Sequence, residues 1–341
     1  MRSDLASDAD RAQCRAMIKT GSKSFFAASL LLPPQVREAA YALYAFCRLS
    51  DDMVDVEGGS SGAIARLRAR LGLAYGGHPA DSAVDRAFAD VIARHALPRE
   101  LPEALIEGLD WDVTGVTCES LDDIQAYAAR VAGSVGAMMT VLMGVRDAGI
   151  LARACDLGVA MQLTNIARDV GEDARNRRLY LPRDWLREEG VDPDAWLAAP
   201  VFTLAIGRVV ARLLRAAGRL YRRSESGIAG LPPGCRPAIF AARHIYAAIG
   251  HEIARAGFDS VTRRAHVPAA RKLGLMVRAV FDAARIARAA QVEAALPQTQ
   301  YLVDAVAASP LQALAPRRAA DRLLWVAELF VSLGQRERLR A

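Results

Sequence analysis

The chain has 341 residues, 52% of them hydrophobic but only 6% aromatic, and carries a net charge of +6. That is enough apolar material for a sizeable core, in one large domain or two of ordinary size. The charge is scattered arginine rather than a basic run with interleaved aromatics, which argues against nucleic acid and for anionic substrates or an anionic membrane surface.

No long period-two runs rich in Val, Ile or Thr occur, whereas Ala and Leu are abundant, so the fold class expected is all-α. The five cysteines (Cys14, Cys47, Cys118, Cys155, Cys235) are odd in number and lack any CxxC pairing, which predicts reduced thiols in a cytoplasm. The N-terminus has acids close behind Met1 and no apolar run, so no secretory signal is read there.

In chain order, Ser22-Lys23-Ser24-Phe25-Phe26 reads first as a helix N-cap, and Pro33-Pro34 should start the next helix. Along that helix Tyr44, Arg48, Asp51 and Asp55 share a stripe roughly 60° wide, with Asp52 beside it. Val36, Ala40, Leu43, Cys47 and Val54 form the opposite, core face. The alternative is a new helix capped at Ser50 or Asp51, which would break the stripe. Gly58 to Gly62 then supply a turn.

Helices are predicted over 64–75, 82–95 and 100–114. The Asp110-Trp111-Asp112 group reads as a helix end with a packed Trp, and His78, His95 and His266 need no catalytic role. A helix over 121–144 contains Gly133 and Gly136, at a cost of up to about 1 kcal/mol each relative to alanine. Close helix packing and an opened cavity both explain them; Met138, Met139, Leu142 and Met143 would give such a cavity a soft wall. The uncharged run 131–145 falls short of the roughly 18 residues of a membrane span.

The helix beginning near Leu151 carries Gln162, Asn165, Asp169 and Asp173 in one stripe roughly 80° wide. Like charges so gathered repel. With the first Asp-x-x-x-Asp pair facing them, they suit hard divalent ions such as magnesium, which completes its shell with water and substrate phosphates. A diphosphate is the natural anionic partner. Arg175, Arg177 and Arg178 follow, then Tyr180-Leu181-Pro182. Helices around 204–224 and 237–256 flank a Pro-rich loop. His251-Glu252 lacks the second His of a zinc protease, and neither GxGxxG nor a P-loop occurs. Residues 317–339 read as an amphipathic helix, for packing or for a membrane interface.

Ser22-Lys23-Ser24-Phe25, Tyr44-Ala45-Phe46-Cys47-Arg48 running into DDMVD, VAGSVG from Val131, QLTNIARDVGED from Gln162, and Arg178-Leu179-Tyr180-Leu181-Pro182 occur in the order of one family. Through them the chain resembles the squalene/phytoene synthases, most of all the bacterial phytoene synthases, over roughly residues 12–293. The resemblance implies a single-domain isoprenoid-synthase-type helical bundle around a central apolar cavity, with residues 294–341 as a C-terminal helical extension. It implies metal at Asp51, Asp52, Asp55, Asp169 and Asp173, and substrate contacts at Ser22, Ser24, Phe25, Val131, Gly133, Gln162 and Asn165. Catalytic roles fall to Tyr44, Arg48, Arg168, Arg178, Tyr180 and Tyr246.

The implied reaction is magnesium-dependent (manganese being the alternative ion) head-to-head coupling of two geranylgeranyl diphosphates through a cyclopropyl intermediate to phytoene. A tyrosine or the released diphosphate takes the last proton. No reduction occurs, so no NADPH is expected. Coupling of farnesyl diphosphates is the nearest alternative: one isoprene unit is worth up to about 4 kcal/mol of burial, and a tunnel depth not written in the sequence makes the choice. A silent scaffold of the same fold is the non-enzyme alternative, and the retained acidic stripes speak against it. A hydrocarbon product suits peripheral contact with a membrane. One departure stands out: many relatives carry an aromatic just before Val-Ala-Gly, where this chain has Ala129 and Arg130 after Tyr127.

Overall fold

A computed structural model describes residues 5–56, 61–286 and 293–309. In chain order the helices are α1 (Asp8–Gly21), α2 (Lys23–Ser29), α3 (Pro34–Val56), α4 (Ser61–Tyr75), α5 (Ala83–His95), α6 (Glu100–Thr114), α7 (Leu121–Ala128) and α8 (Ser134–Leu142). There follow α9 (Ala148–Arg175), α10 (Arg183–Glu188), α11 (Pro193–Ala198), α12 (Leu204–Gly230), α13 (Arg236–Arg255), α14 (Ala269–Arg285) and α15 (Gln300–Ala308). No strand occurs among the described residues, as the patterning required.

Local chemistry sets many of the helix starts. Ser82, Ser120, Asp147 and Thr203 each accept a backbone N–H from the first turn of α5, α7, α9 and α12, satisfying donors that a helix leaves unpaired. Pro34 opens α3, and α3 continues unbroken through Asp51, so no second helix is capped there. Ser50 instead turns its hydroxyl back to the Phe46 carbonyl. The single helix expected over 121–144 is two helices joined by a π-helical turn, Ala129–Gly133, a local widening that often re-aims side chains at a site.

α9 is the axis. On one side α1, α3, α5, α6 and α8 enclose a core that includes Leu43, Leu101, Ile106 and Met138, with Phe46 stacked on Phe88 at 4.0 Å between ring centroids. On the other, α9 packs along α12 and α13 through a core that includes Leu163, Ile166, Leu213 and Ile249. Each such side chain stabilises the fold by roughly 1.5–3 kcal/mol relative to exposure. Gly136 and Gly158 allow the crossing of α8 and α9 to be close: a β-carbon at either would drive into the carbonyl of Ala154 or Ala132. Gly136 therefore provides close packing, and it also lines an apolar cavity beside α8. α15 buries Leu302, Val303 and Val306 in the first core, so residues up to Ser309 belong to the same compact unit. The amphipathic helix expected at 317–339 lies outside the described residues, as do positions 58–60 of the glycine turn.

Candidate active site

Two cavities meet at the middle of the bundle. The first, about 820 Å³, is polar and is lined by Ser22, Lys23, Ser24, Arg48, Asp51, Asp112, Arg168, Arg264, His266 and Lys272, among others. The second, about 320 Å³, is a tunnel walled by Leu43, Val135, Met139, Met143, Leu157, Met161, Ile228 and Ile239. Phe25, Tyr44, Cys47, Val131, Gln162 and Asn165 line both, so they form the neck where the polar cavity passes into the apolar one.

The neck is built by four elements, of which α3 gives Tyr44 and Cys47. Ser22 caps α2, accepting the Phe25 N–H at 3.2 Å, and this holds Phe25 against Tyr246 at 5.0 Å between rings. Ser22 is thus the N-cap expected of it and also lines the polar cavity. α9 presents Gln162 and Asn165, the Asn165 amide donating to Gln162 at 3.3 Å while its own buried oxygen has no partner. The π-helical turn directs Val131 into the neck. Gly133, expected at the substrate, lines neither cavity; it faces Leu302, Thr299 and Val159 because the π turn rotates it toward α15. Of the four residues expected to form the soft wall, Met139 and Met143 face the tunnel, whereas Met138 and Leu142 point into the core. Cys47, read as plain core, stands in the neck, its thiol pushed up to about 12 by burial and the nearby Asp51 carboxylate.

Of the carboxylates expected to hold metal, Asp51 on α3 lines the polar cavity, whereas Asp169 on α9 stands behind Arg168 and Arg264, which line it. On α3, Arg48 lies 2.6 Å from Asp52 and 3.7 Å from Asp51. Asp55 follows in the last turn of α3, its side chain outside the described residues. On α9, Asp169 receives Arg168 at 2.6 Å and Arg264 at 2.7 Å. Burial raises its pKa, but the two guanidiniums outweigh that and hold it below the usual carboxylate range. Asp173 is pushed up to about 7, first by burial and then by the negative charges of Asp169 and Glu172, with Arg178 opposing.

Arg264 was not anticipated. It arrives on the strap between α13 and α14, which crosses α9 where Gly171 donates its N–H to Ser260 at 2.9 Å. A β-carbon on Gly171 would drive into the Val261 carbonyl, so only glycine admits the strap this closely. The signal was present as a glycine inside a helix amid the acidic motif.

Asp112 was also underread. Beyond ending a helix, it accepts the Tyr180 hydroxyl at 2.6 Å and the Tyr127 hydroxyl at 3.0 Å, and the two rings stack at 5.1 Å. Tyr180 therefore stands behind the cavity rather than in its lining. Trp111 meanwhile packs under Arg130 at 4.2 Å. His266, dismissed earlier, lines the polar cavity.

The donor set suits magnesium in a particular way. Among the described residues no three His, Cys, Asp or Glu side chains converge into a ready-made cage. The carboxylates are hard oxygen donors that form an open rim along α3 and α9, with Asp51 at the cavity wall, and the negative charges of Asp169 and Glu172 help to raise Asp173. Such a rim fits an ion that takes one or two carboxylates and leaves its other positions to phosphate and water.

Comparison with known proteins agrees with this geometry. The profile of the Squalene/phytoene synthase family matches residues 18–271. The phytoene synthase of Cereibacter sphaeroides is 57% identical over 280 residues, covering 79% of each chain. That of Rhodobacter capsulatus is 52% identical over 310 residues, covering 89% of this chain and 91% of the relative. A crystal structure of a dehydrosqualene synthase in complex with ligand superposes with a TM-score of 0.73 at 30% identity, covering 80% of this chain and 95% of the other. The chain belongs to the squalene/phytoene synthase family, and its helical bundle is the isoprenoid-synthase fold.

Proposed function

We propose that this protein is a prenyltransferase that condenses two geranylgeranyl diphosphates head to head, through a cyclopropyl diphosphate, to phytoene, the first committed step of carotenoid formation. The observation that carries the reading is the junction itself: a cationic and acidic cavity opening through one neck into a tunnel of apolar side chains. The phytoene synthases of 57% and 52% identity support the choice of the twenty-carbon donor.

Asp51, Asp52 and Asp55 on α3 and Asp169 and Asp173 on α9 would hold magnesium, or manganese with the same donor preference. When bound, the ions supply Lewis acidity that stabilises charge on a departing diphosphate. The chain's own residues do the rest. Lys23, Arg48, Arg168, Arg264 and Lys272 ring the polar cavity and attract the two diphosphates. Arg168 and Arg264 exchange their hold on Asp169 for phosphate oxygens, to which a guanidinium fork is matched. Ser22, Ser24, Gln162 and Asn165 offer hydrogen bonds at the neck, and the lone Asn165 oxygen is an acceptor still to be filled.

Phe25, Val131 and the tunnel walls exclude water from an allylic cation and keep its chain extended. Tyr44 and Tyr246 stand at or beside the neck, where their rings face positive charge. Burial raises both phenols, Tyr246 above its ordinary range, so they act there as neutral groups. Arg178 tempers Asp173, and Tyr180 anchors Asp112.

The test is incubation of purified protein with magnesium and either geranylgeranyl or farnesyl diphosphate, followed by extraction and chromatography of the lipid. Phytoene from the longer donor is the expected result. Product from the shorter donor alone makes the enzyme a farnesyl-coupling synthase, and turnover of neither makes the fold a silent scaffold.

A further inference from the structure

α14 packs on α13, and one of its faces is exposed among the described residues. Leu273, Val277, Val280 and Phe281 are 64%, 51%, 46% and 56% exposed. On a helix they fall within an arc of roughly 100°, so they form one stripe rather than scattered apolar surface. The opposite face is the packed one, with Ala279 buried and Leu275 and Met276 set against the bundle. Four large apolar side chains exposed in a row are unusual for a surface that meets only water.

The charges around the stripe have one sign. A groove of about 780 Å³ between α12, α13 and α14 is lined by Arg215, Arg219, Arg222, Arg271 and Arg278 and by no acidic residue. Arg215, Arg219 and Arg222 project from α12 at helical spacing, exposed and without an acidic partner among the described residues. The acids nearest the groove are already engaged: Glu252 by Arg271 and Arg255, Asp282 by His244 and Arg278, and Glu225 by Arg243. An apolar stripe on a helix whose neighbouring groove holds three uncompensated arginines complements an anionic lipid surface, greasy below its headgroups and negative above them.

We infer that the face formed by α14 and the arginine edge of α12 docks on an anionic phospholipid bilayer. α14 also lends Lys272 to the polar cavity. One helix thus ties the docked face to the site where lipid-soluble chains are handled.

The experiment is co-sedimentation of the full-length protein with vesicles of mixed phosphatidylglycerol and phosphatidylcholine, against vesicles of phosphatidylcholine alone. Wild type is expected to pellet with the first and not the second. Leu273→Ser with Phe281→Ser is expected to lower partitioning roughly tenfold or more. Arg215→Gln, Arg219→Gln and Arg222→Gln together are expected to abolish the anionic preference and its loss at high salt. Hydrogen exchange on wild type gives a check that needs no variant: amides of α14 slow when anionic vesicles are added. Equal pelleting of wild type and the apolar double variant overturns the proposal and points to another anchor. So does a halving of solution mass in that variant, which makes the stripe an interface between copies, and so does wild type that ignores both vesicles.

Discussion

The two aspartate-bearing helices carry the same spacing and live under opposite electrostatics. On α3, Asp51 and Asp52 have side chains 50% and 44% exposed, and Arg48 of the same helix answers both. On α9, Asp169 is 16% exposed and depends on Arg264, 95 residues away, as well as on Arg168. Asp173 below it is left charge-poor. The first motif is a solvated rim, partly neutralised from within its own helix. The second is held by tertiary structure and resists ionisation at Asp173, which makes it the more sensitive of the two to a bound cation.

The sharpest break is removal of the second motif's charge. Asp169→Asn or Asp173→Asn should lower turnover by about three orders of magnitude, the scale of losing several kcal/mol of leaving-group stabilisation, and chelation of divalent ions should do the same. Radiolabelled substrate assays measure this. Stability separates the pair: at pH 8 without metal, Asp173→Asn should melt at or above the wild-type temperature, because a disfavoured buried charge is gone. Asp51→Asn should lose activity with an unchanged melting temperature.

Next comes the strap. Gly171→Ala forces Val261 off α9 and should cost about 1–3 kcal/mol by overpacking while detaching Arg264 from Asp169. Thermal melts and a raised KM for the diphosphate donor would report it; unchanged kinetics would mean the strap does not matter.

The pH response is smaller and has a definite sign. Asp173 titrates near 7 in the fold against an ordinary 3.8, so the folded state binds more protons between those values. Metal-free stability should therefore fall as pH rises from about 4 to about 7 and then level off. Asp169, held low, works in the opposite sense: its contribution is present above the ordinary carboxylate pKa and is lost as pH falls below it. Magnesium with inorganic diphosphate should flatten the upper window and release protons on binding, read by calorimetry in buffers of different ionisation heat. The smallest effect is on α3: Arg48→Gln should change stability by no more than about 1 kcal/mol, since its pairs are exposed.

Much of this was legible in one dimension. Residue spacing put Tyr44, Arg48 and Asp51 on one face of α3 and Gln162 and Asn165 on one face of α9, and all five line the polar cavity, because helical periodicity is a local property and both helices run unbroken. Scarce β-patterning determined the fold class for the same reason. Gly133 was misplaced, Asp112 read only as part of a helix end, Arg264 not singled out and Cys47 assigned to plain core, each through a non-local cause. A π turn rotated the first, two tyrosines from distant segments converged on the second, a strap admitted by Gly171 delivered the third, and the meeting of two cavities exposed the fourth. Chain periodicity specifies which side chains share a face. Which face meets which is decided only when helices far apart in sequence pack, because that choice depends on burial and close contact summed over the whole bundle.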